Sequence, residues 1–322
     1  MKSNFIKYLP IAFGALAGLP SPSSAQDAGT YTLAPGIVVD SQRELAFTLA
    51  PEGTLQAVVL ADGRVTWSSV EPMLPLAVQA GRLLALASTR QPGLGMLVIV
   101  DPASGQALDR VAFDLPETVS AEFMPGPNRS FSAQIVGAGD GLRLHWRYES
   151  RPLRGAVEID AQGEPNPLQV ESGAVDISYG GDRAYATPVR EAVAAPAVPS
   201  PAASSEERLP NVAGDQFVAV DRAYVLAAVA VSDPEQGDRY RWSIHDRRQG
   251  RALGTLESSY ALAPFLVSGS RLVYRAEAEG RKQPDGQWLS LGTRLVGYDL
   301  ADGRMLWSLP VNPMVYRGPL PP

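Results

Sequence analysis

His145 and His245 are the only imidazoles in this 322-residue chain, and it contains no cysteine. An imidazole can act as a general base, a proton shuttle or a metal ligand near neutral pH. Each of these lies alone in a strand-like run beside Trp or Arg, as in His145-Trp146-Arg147 and Trp242-Ser243-Ile244-His245. Neither belongs to a His-x-His or HExxH pattern, so their spacing points to structural or surface roles and not to a metal centre. The lack of cysteine excludes a thiolate nucleophile, thiolate metal ligation, disulfides and a lipid-bearing cysteine.

Carboxylates are the other candidates for chemistry. Asp62, Asp101, Asp160, Asp246, Asp299 and Asp302 all stand near glycines in turn-like contexts, where a short acceptor side chain caps its own turn. A glycosidase needs two carboxylates facing each other across a cleft, and no linear spacing here defines such a pair. No EF-hand loop, glycine-rich phosphate loop or GxSxG elbow is present. The sequence therefore designates no catalytic residue, no cofactor-binding residue and no metal ligand. What it does offer is arginine mixed with aromatics, a composition typical of binding hot spots. Arg147, Tyr148 and Arg151 form one group; Arg239, Arg241, Arg247, Arg248 and Arg251 surround Trp242 and His245 in a second, preferred one. Cross-strand pairing with acidic neighbours would produce the same letters.

These residues must be carried by β-structure. Apolar runs of four to eight residues, such as Leu45–Leu49, 83–87, 142–148, 240–244 and 295–298, recur between Gly, Pro, Asp and Asn, with no long helical stripe. The octapeptide LADGRVTW at 60–67 returns as LADGRMLW at 300–307, with six of eight residues identical. Both read as two short strands joined by a tight Asp-Gly connection. Looser copies run through Gly105, Gly163 and Gly250, at intervals of 42, 58, 87 and 53 residues along the series from Gly63 to Gly303. Pro75-Leu76-Ala77-Val78 and Pro264-Phe265-Leu266-Val267 begin a second recurring strand pair. Together these pieces make four-stranded units of about 40–50 residues, the size of a propeller blade. The expected fold is all-β, a single propeller of six or seven blades. Segment 31–39 is expected to add a strand to the last blade. Met124–Asn128 and 279–287 are expected as loops, and the end of the chain from Val315 as an extended arm.

Residues 1–25 read as a secretory signal peptide, with Lys2 and Lys7, a short apolar run and Ser23-Ser24-Ala25 before Gln26. The domain then spans 26–322, with the Pro-Ala segment 192–210 as a flexible insertion. Cleavage removes two lysines and takes the formal charge from -6 to -8. Such acidity disfavours a non-specific nucleic-acid binder. No later segment is long and apolar enough to be read as a transmembrane helix.

The strand, Asp, Gly turn and Trp-bearing strand of 60–67 and 298–307 resemble the quinoprotein-like (PQQ-like) repeat of β-propellers, in which the Trp packs between neighbouring blades. Trp67 and Trp307 are placed for that role, and the other copies lack the terminal Trp. The resemblance would allow an enzyme holding pyrroloquinoline quinone and calcium. This chain lacks the adjacent cysteine pair of many such enzymes and is about half their length. The expected function is an exported, non-catalytic scaffold for protein partners in the bacterial cell envelope, periplasmic or secreted, with a quinone- and calcium-dependent dehydrogenase as the alternative.

Overall fold

The computed structural model describes residues 30–123, 129–138, 141–150, 169–180, 183–189, 216–220, 224–233, 237–282 and 288–313. Every described regular element is a strand. The first sheet holds β1 (Thr30–Ala34), β2 (Ile37–Asp40), β3 (Leu45–Leu49), β4 (Thr54–Val59) and the first half of β5 (Val65–Gln79). The 15 residues of β5 carry the chain onward, pairing Thr54↔Pro72 on one side of the step and Met73↔Ala87 on the other. Its second half opens the second sheet, followed by β6 (Arg82–Ala87), β7 (Leu94–Val100) and β8 (Ala107–Asp114). The third sheet is a meander of β9 (Arg129–Ala138), β10 (Gly141–Ser150), β11 (Gln169–Gly180) and β12 (Arg183–Pro188).

The fourth sheet comprises β13 (Gln216–Val220), β14 (Tyr224–Asp233), β15 (Gly237–Asp246) and β16 (Ala252–Ser258). In the fifth, β17 (Phe265–Ser268) and β18 (Arg271–Ala276) precede a two-stranded hairpin of β19 (Glu279–Lys282) and β20 (Trp288–Leu291). Then β21 (Arg294–Asp299) and β22 (Arg304–Pro310) complete it. Among the described residues every pairing is antiparallel, and all join strands consecutive in sequence except β18 with β21, between which the β19–β20 hairpin is inserted. Among the described residues no helix is long and apolar enough to cross a membrane.

The chain divides into two compact units. One gathers Leu60–Gly63 with Ala197–Pro313, and the other contains Pro20–Val59 and Arg64–Pro196. A four-stranded sheet with two apolar faces cannot bury both alone, and in each unit successive sheets cover one another. Phe47, Leu55 and Ala57 of the first sheet meet Leu83, Ala85 and Val98 of the second. The other face of the second, with Leu84, Leu86 and Leu97, meets Phe131, Leu144 and Trp146 of the third. In the remaining unit Leu226, Trp242 and Ile244 of the fourth sheet pack on Phe265, Leu272 and Tyr274 of the fifth.

Four hairpins share one frame. A register shift falls between Ala57 and Val58, Ile99 and Val100, Ile244 and His245, and Gly297 and Tyr298, always six and five residues before a turn glycine. The glycines have positive φ: +72° at Gly63, +75° at Gly105, +62° at Gly250 and +63° at Gly303. A two-residue type I′ turn would need positive φ at the preceding residue as well, and the Asp before Gly63 has none. The expected tight Asp-Gly turn is instead a wider loop, closed by Asp101 N–H to Gln106 O at 2.8 Å and Asp246 N–H to Arg251 O at 2.9 Å. The capping carboxylate stands four residues before the glycine. Asp101 Oδ1 accepts from Ala103 N–H at 3.2 Å, and Asp299 Oδ1 from Ala301 N–H at 2.8 Å.

Two sequence expectations change. Residues 31–39 contribute to β1 and β2, which pair with each other and join the first sheet, not the last. Segment 279–287 was expected as a loop, but Glu279–Lys282 is a strand paired with Trp288–Leu291. The copy through Gly163 lies outside the described residues, between β10 and β11. The signal segment, Met124–Asn128, 192–210 and the end of the chain from Val315 also lie outside the described residues.

Candidate functional site

The fourth and fifth sheets leave a cleft of about 330 Å³ beside their turns, lined by Arg251, Ala252, Leu253, Gly269, Ser270, Leu300 and Ala301. One wall is set by Asp246. Its Oδ1 accepts from Arg248 N–H at 2.9 Å and Gln249 N–H at 2.8 Å, and its carbonyl accepts from Gly250 N–H at 2.8 Å. That loop delivers Arg251 to the start of β16. The opposite wall is pinned by Leu300 N–H, which donates to Ser270 O at 2.8 Å, and by the Asp299 cap over Ala301. Next to the lining strand residue Leu253, a Cβ added to Gly254 would lie 2.3 Å from the Leu300 carbonyl oxygen, so only glycine lets the two backbones meet. Of the lining residues Arg251 alone carries a charge; backbone and small side chains form the rest.

The preferred arginine cluster divides between two environments. Trp242 is fully buried (0% exposed); its Nε1 donates to Tyr260 O at 2.7 Å and its ring meets Tyr274 edge-on, with centroids 5.1 Å apart. It is a core anchor and not the aromatic centre of an exposed patch. Arg239 and Arg241 straddle Glu257 at 3.6 Å each, the cross-strand pairing that the sequence left open. Arg247, Arg248 and Arg251 belong to the turn and the edge of the cleft. The first group separates too: Arg147 bonds Glu149 at 2.9 Å, while Tyr148, the next residue, is buried in the core. Successive strand residues face opposite sides, so adjacency in sequence does not make a shared patch. Arg151 lies outside the described residues.

His145 sits half-buried on β10, and its Nε2 has no hydrogen-bond partner among the described residues. Burial, reinforced by the neighbouring Arg143 charge, lowers its pKa, and Asp176 opposes the shift. Arg143 itself grips Asp176 through Nε at 2.6 Å and Nη2 at 3.1 Å. His245 stands beside the register shift of β15, and neither of its ring nitrogens has a hydrogen-bond partner among the described residues. No group of three or more metal-ligating side chains occurs among the described residues. Asp101, Asp246 and Asp299 each cap their own turn through Oδ1.

A further polar group was missed in the sequence. Arg294 Nη2 donates to Glu279 Oε1 at 2.9 Å beside Tyr260, whose hydroxyl donates to Glu277 O. Burial, and then the Glu279 charge, push the Tyr260 phenol up to about 12. Burial likewise pushes Tyr274 up to about 12, so both stay protonated phenols at neutral pH. Arg275 is buried (5% exposed), with Glu277 at 3.4 Å and, among the described residues, no hydrogen-bond partner for its Nε. No linear signal joins these residues; they meet because β18 pairs with β21, which sets Arg294 opposite Ala276, three residues before Glu279.

The chain matches no protein-family model and none of the curated proteins with which it was compared.

Proposed function

We propose that this chain is an exported, non-catalytic scaffold of the bacterial cell envelope, built as a β-propeller of quinoprotein-like repeats and binding protein partners through its turn-bearing rim. The observation that carries this reading is how the polar side chains of the turns are used. Asp101, Asp246 and Asp299 hold their own loops in shape, while the cleft between two of those loops is walled by backbone, small side chains and one arginine. Shaped loops on a rigid β-framework are a common way to present a binding face.

The propeller reading is supported by a repeated lock. Trp67 Nε1 donates to Pro102 O at 3.0 Å, and Trp307 Nε1 donates to Leu60 O at 3.0 Å. Both carbonyls stand three residues before a turn glycine, Gly105 and Gly63. The same indole-to-turn contact thus joins sheets next to each other in sequence and also links β22 with the turn after β4.

The test pairs two measurements on the exported protein. In vivo crosslinking from cysteines placed at Arg248 and Ser270 should give a discrete protein adduct. The purified protein, supplied with pyrroloquinoline quinone and calcium, should not oxidise alcohols or sugars. Quinone-dependent turnover would overturn the scaffold reading in favour of a dehydrogenase.

A further inference from the structure

The pentapeptide Leu-Ala-Asp-Gly-Arg occurs twice, at 60–64 and at 300–304. An Asp-Gly link is open to attack by its own backbone, because glycine has no Cβ to shield the amide nitrogen that approaches the aspartyl carboxyl. Identical pentapeptides share their local chemistry, so a difference in their reactivity must come from what surrounds them. The other Asp-Gly pairs of the chain, at 140–141 and 285–286, lie partly or wholly outside the described residues.

The Trp307 indole lies over the first copy. A Cβ on Gly63 would fall 2.5 Å from Trp307 Cγ, 2.7 Å from its Cβ and 2.8 Å from its Cδ2. The same indole donates to Leu60 O at 3.0 Å and so pins the start of that turn. Gly63 is half-buried beneath it, whereas Gly303 is exposed and a Cβ there would meet nothing within 4 Å. Asp62 and Asp302 are both exposed, and the two glycines have similar φ, +72° and +63°. The distinction is therefore the room in which the Asp-Gly peptide can turn. The ties on the second copy are slight. The Asp302 carboxylate rests on Arg304 Nε at 3.3 Å with both side chains exposed, a pairing that contributes little in water. Tyr298 Oη donates to Gly303 O at 2.6 Å, also at an exposed position, and restrains the carbonyl and not the amide.

We infer that Asp302 is a site of spontaneous isomerisation to isoaspartate in the folded protein, and that the Trp307 indole protects Asp62 from the same reaction. The Gly303 nitrogen attacks Cγ of the protonated Asp302 carboxyl. A C–N bond forms, and the carboxyl hydroxyl leaves with the amide proton as water, closing a succinimide. Water then adds to one of the two ring carbonyls. Opening at the main-chain carbonyl leaves the chain running through the side-chain carbonyl, an isoaspartyl link of unchanged mass, with no oxidant or cofactor consumed. Ring closure requires the Asp-Gly peptide plane to swing, and at Gly63 the indole fills the space that this motion needs. The product adds a methylene to the backbone of the loop whose Leu300 and Ala301 line the cleft. It does so whether the chain is a scaffold or an enzyme.

The test ages the full chain at neutral pH, folded and in urea, and digests it with trypsin, which releases Asp62 in peptide 44–64 and Asp302 in peptide 295–304. Electron-transfer fragmentation then locates isoaspartate in each peptide. In the folded protein it should accumulate at Asp302 about tenfold faster than at Asp62, equivalent to about 1.4 kcal/mol of extra opening free energy at the covered turn. In urea the two identical pentapeptides should react at matching rates. Trp307→Ala should bring the Asp62 rate in the folded protein up toward that of Asp302. Equal rates in the folded protein, faster reaction at Asp62, a ratio unchanged by urea, or an Asp62 rate indifferent to loss of the indole would overturn the inference. If Trp307→Ala does not fold, the folded and urea measurements on the unaltered protein decide the matter by themselves.

Discussion

The indole nitrogen of Trp307 donates to the carbonyl of Leu60 across 3.0 Å, although 247 residues separate them in the chain. The bond secures β22, an edge strand of its sheet, against the turn that follows β4. Trp307→Ala should cost about 3–5 kcal/mol, as expected for a packed aromatic. Trp307→Phe, which keeps most of the ring but not the donor, should lose about 0.5–1.5 kcal/mol from the missing hydrogen bond alone in addition to its packing deficit. Urea unfolding of the three proteins measures both steps, and a near-zero effect of the alanine variant would show that Trp307 does not hold the unit together.

Turn glycines of equal φ allow backbone strain to be separated from packing. Gly303→Ala should cost only the left-handed penalty of about 1–2 kcal/mol, since its Cβ enters open space. Gly63→Ala adds a methyl 2.5 Å from Trp307 Cγ and should cost at least twice as much. Equal losses would mean that the indole readily moves aside.

Asp101 lies below its ordinary value of 3.8, chiefly because the Ser104 hydroxyl donates to it and next because of Ala103 N–H. A carboxyl depressed in the folded state contributes stability that is fully present above the unfolded value and is lost as pH falls through the folded one. Ser104→Ala should therefore raise the Asp101 midpoint in an NMR titration and shrink the stability lost below about pH 3.9. The stability change will be small because the group is solvent-exposed.

His145 is also depressed, so its protonation opposes folding. Stability is whole above the ordinary 6.5 and declines as pH falls toward the folded value, because the unfolded chain takes the proton first. Asp176→Asn removes the one neighbour that favours the charged ring and should lower the His145 midpoint further. A rise would show that the Asp176 grip on Arg143 matters to the ring more than the carboxylate's own charge.

Arg275 occupies on β18 the place that Leu86 occupies on β6, when Arg271–Ala276 is laid over Arg82–Ala87. Its guanidinium is buried with a long contact to Glu277 and an Nε that has no partner among the described residues, and burial lowers its pKa. Replacing a weakly paired buried charge by a well-packed apolar side chain is often neutral or stabilising by about 1–4 kcal/mol. Arg275→Leu should match or exceed the parent's unfolding midpoint in urea, and a marked loss would imply that the arginine is held by more than Glu277.

The sequence by itself determined what depends on neighbours along the chain. Short apolar runs marked β3, β6, β7 and β21, and glycines marked the loops after Val59, Asp101, Asp246 and Asp299, because strand propensity and backbone dihedrals are set within a few residues. Strands such as β11 and β12, where polar and glycine residues interrupt the pattern, gave no such signal; nor did β19, whose charged residues read as a loop. Tertiary structure decided everything that required registering one strand or sheet on another. It turned Trp242 into a core residue, joined Glu279 to Arg294, and assigned the Trp307 indole to a carbonyl on the far side of the sequence. The physical reason is that an apolar or charged residue seeks a partner of the right kind without specifying which one. That choice follows from strand register and the stacking of whole sheets, which no short stretch of the chain contains.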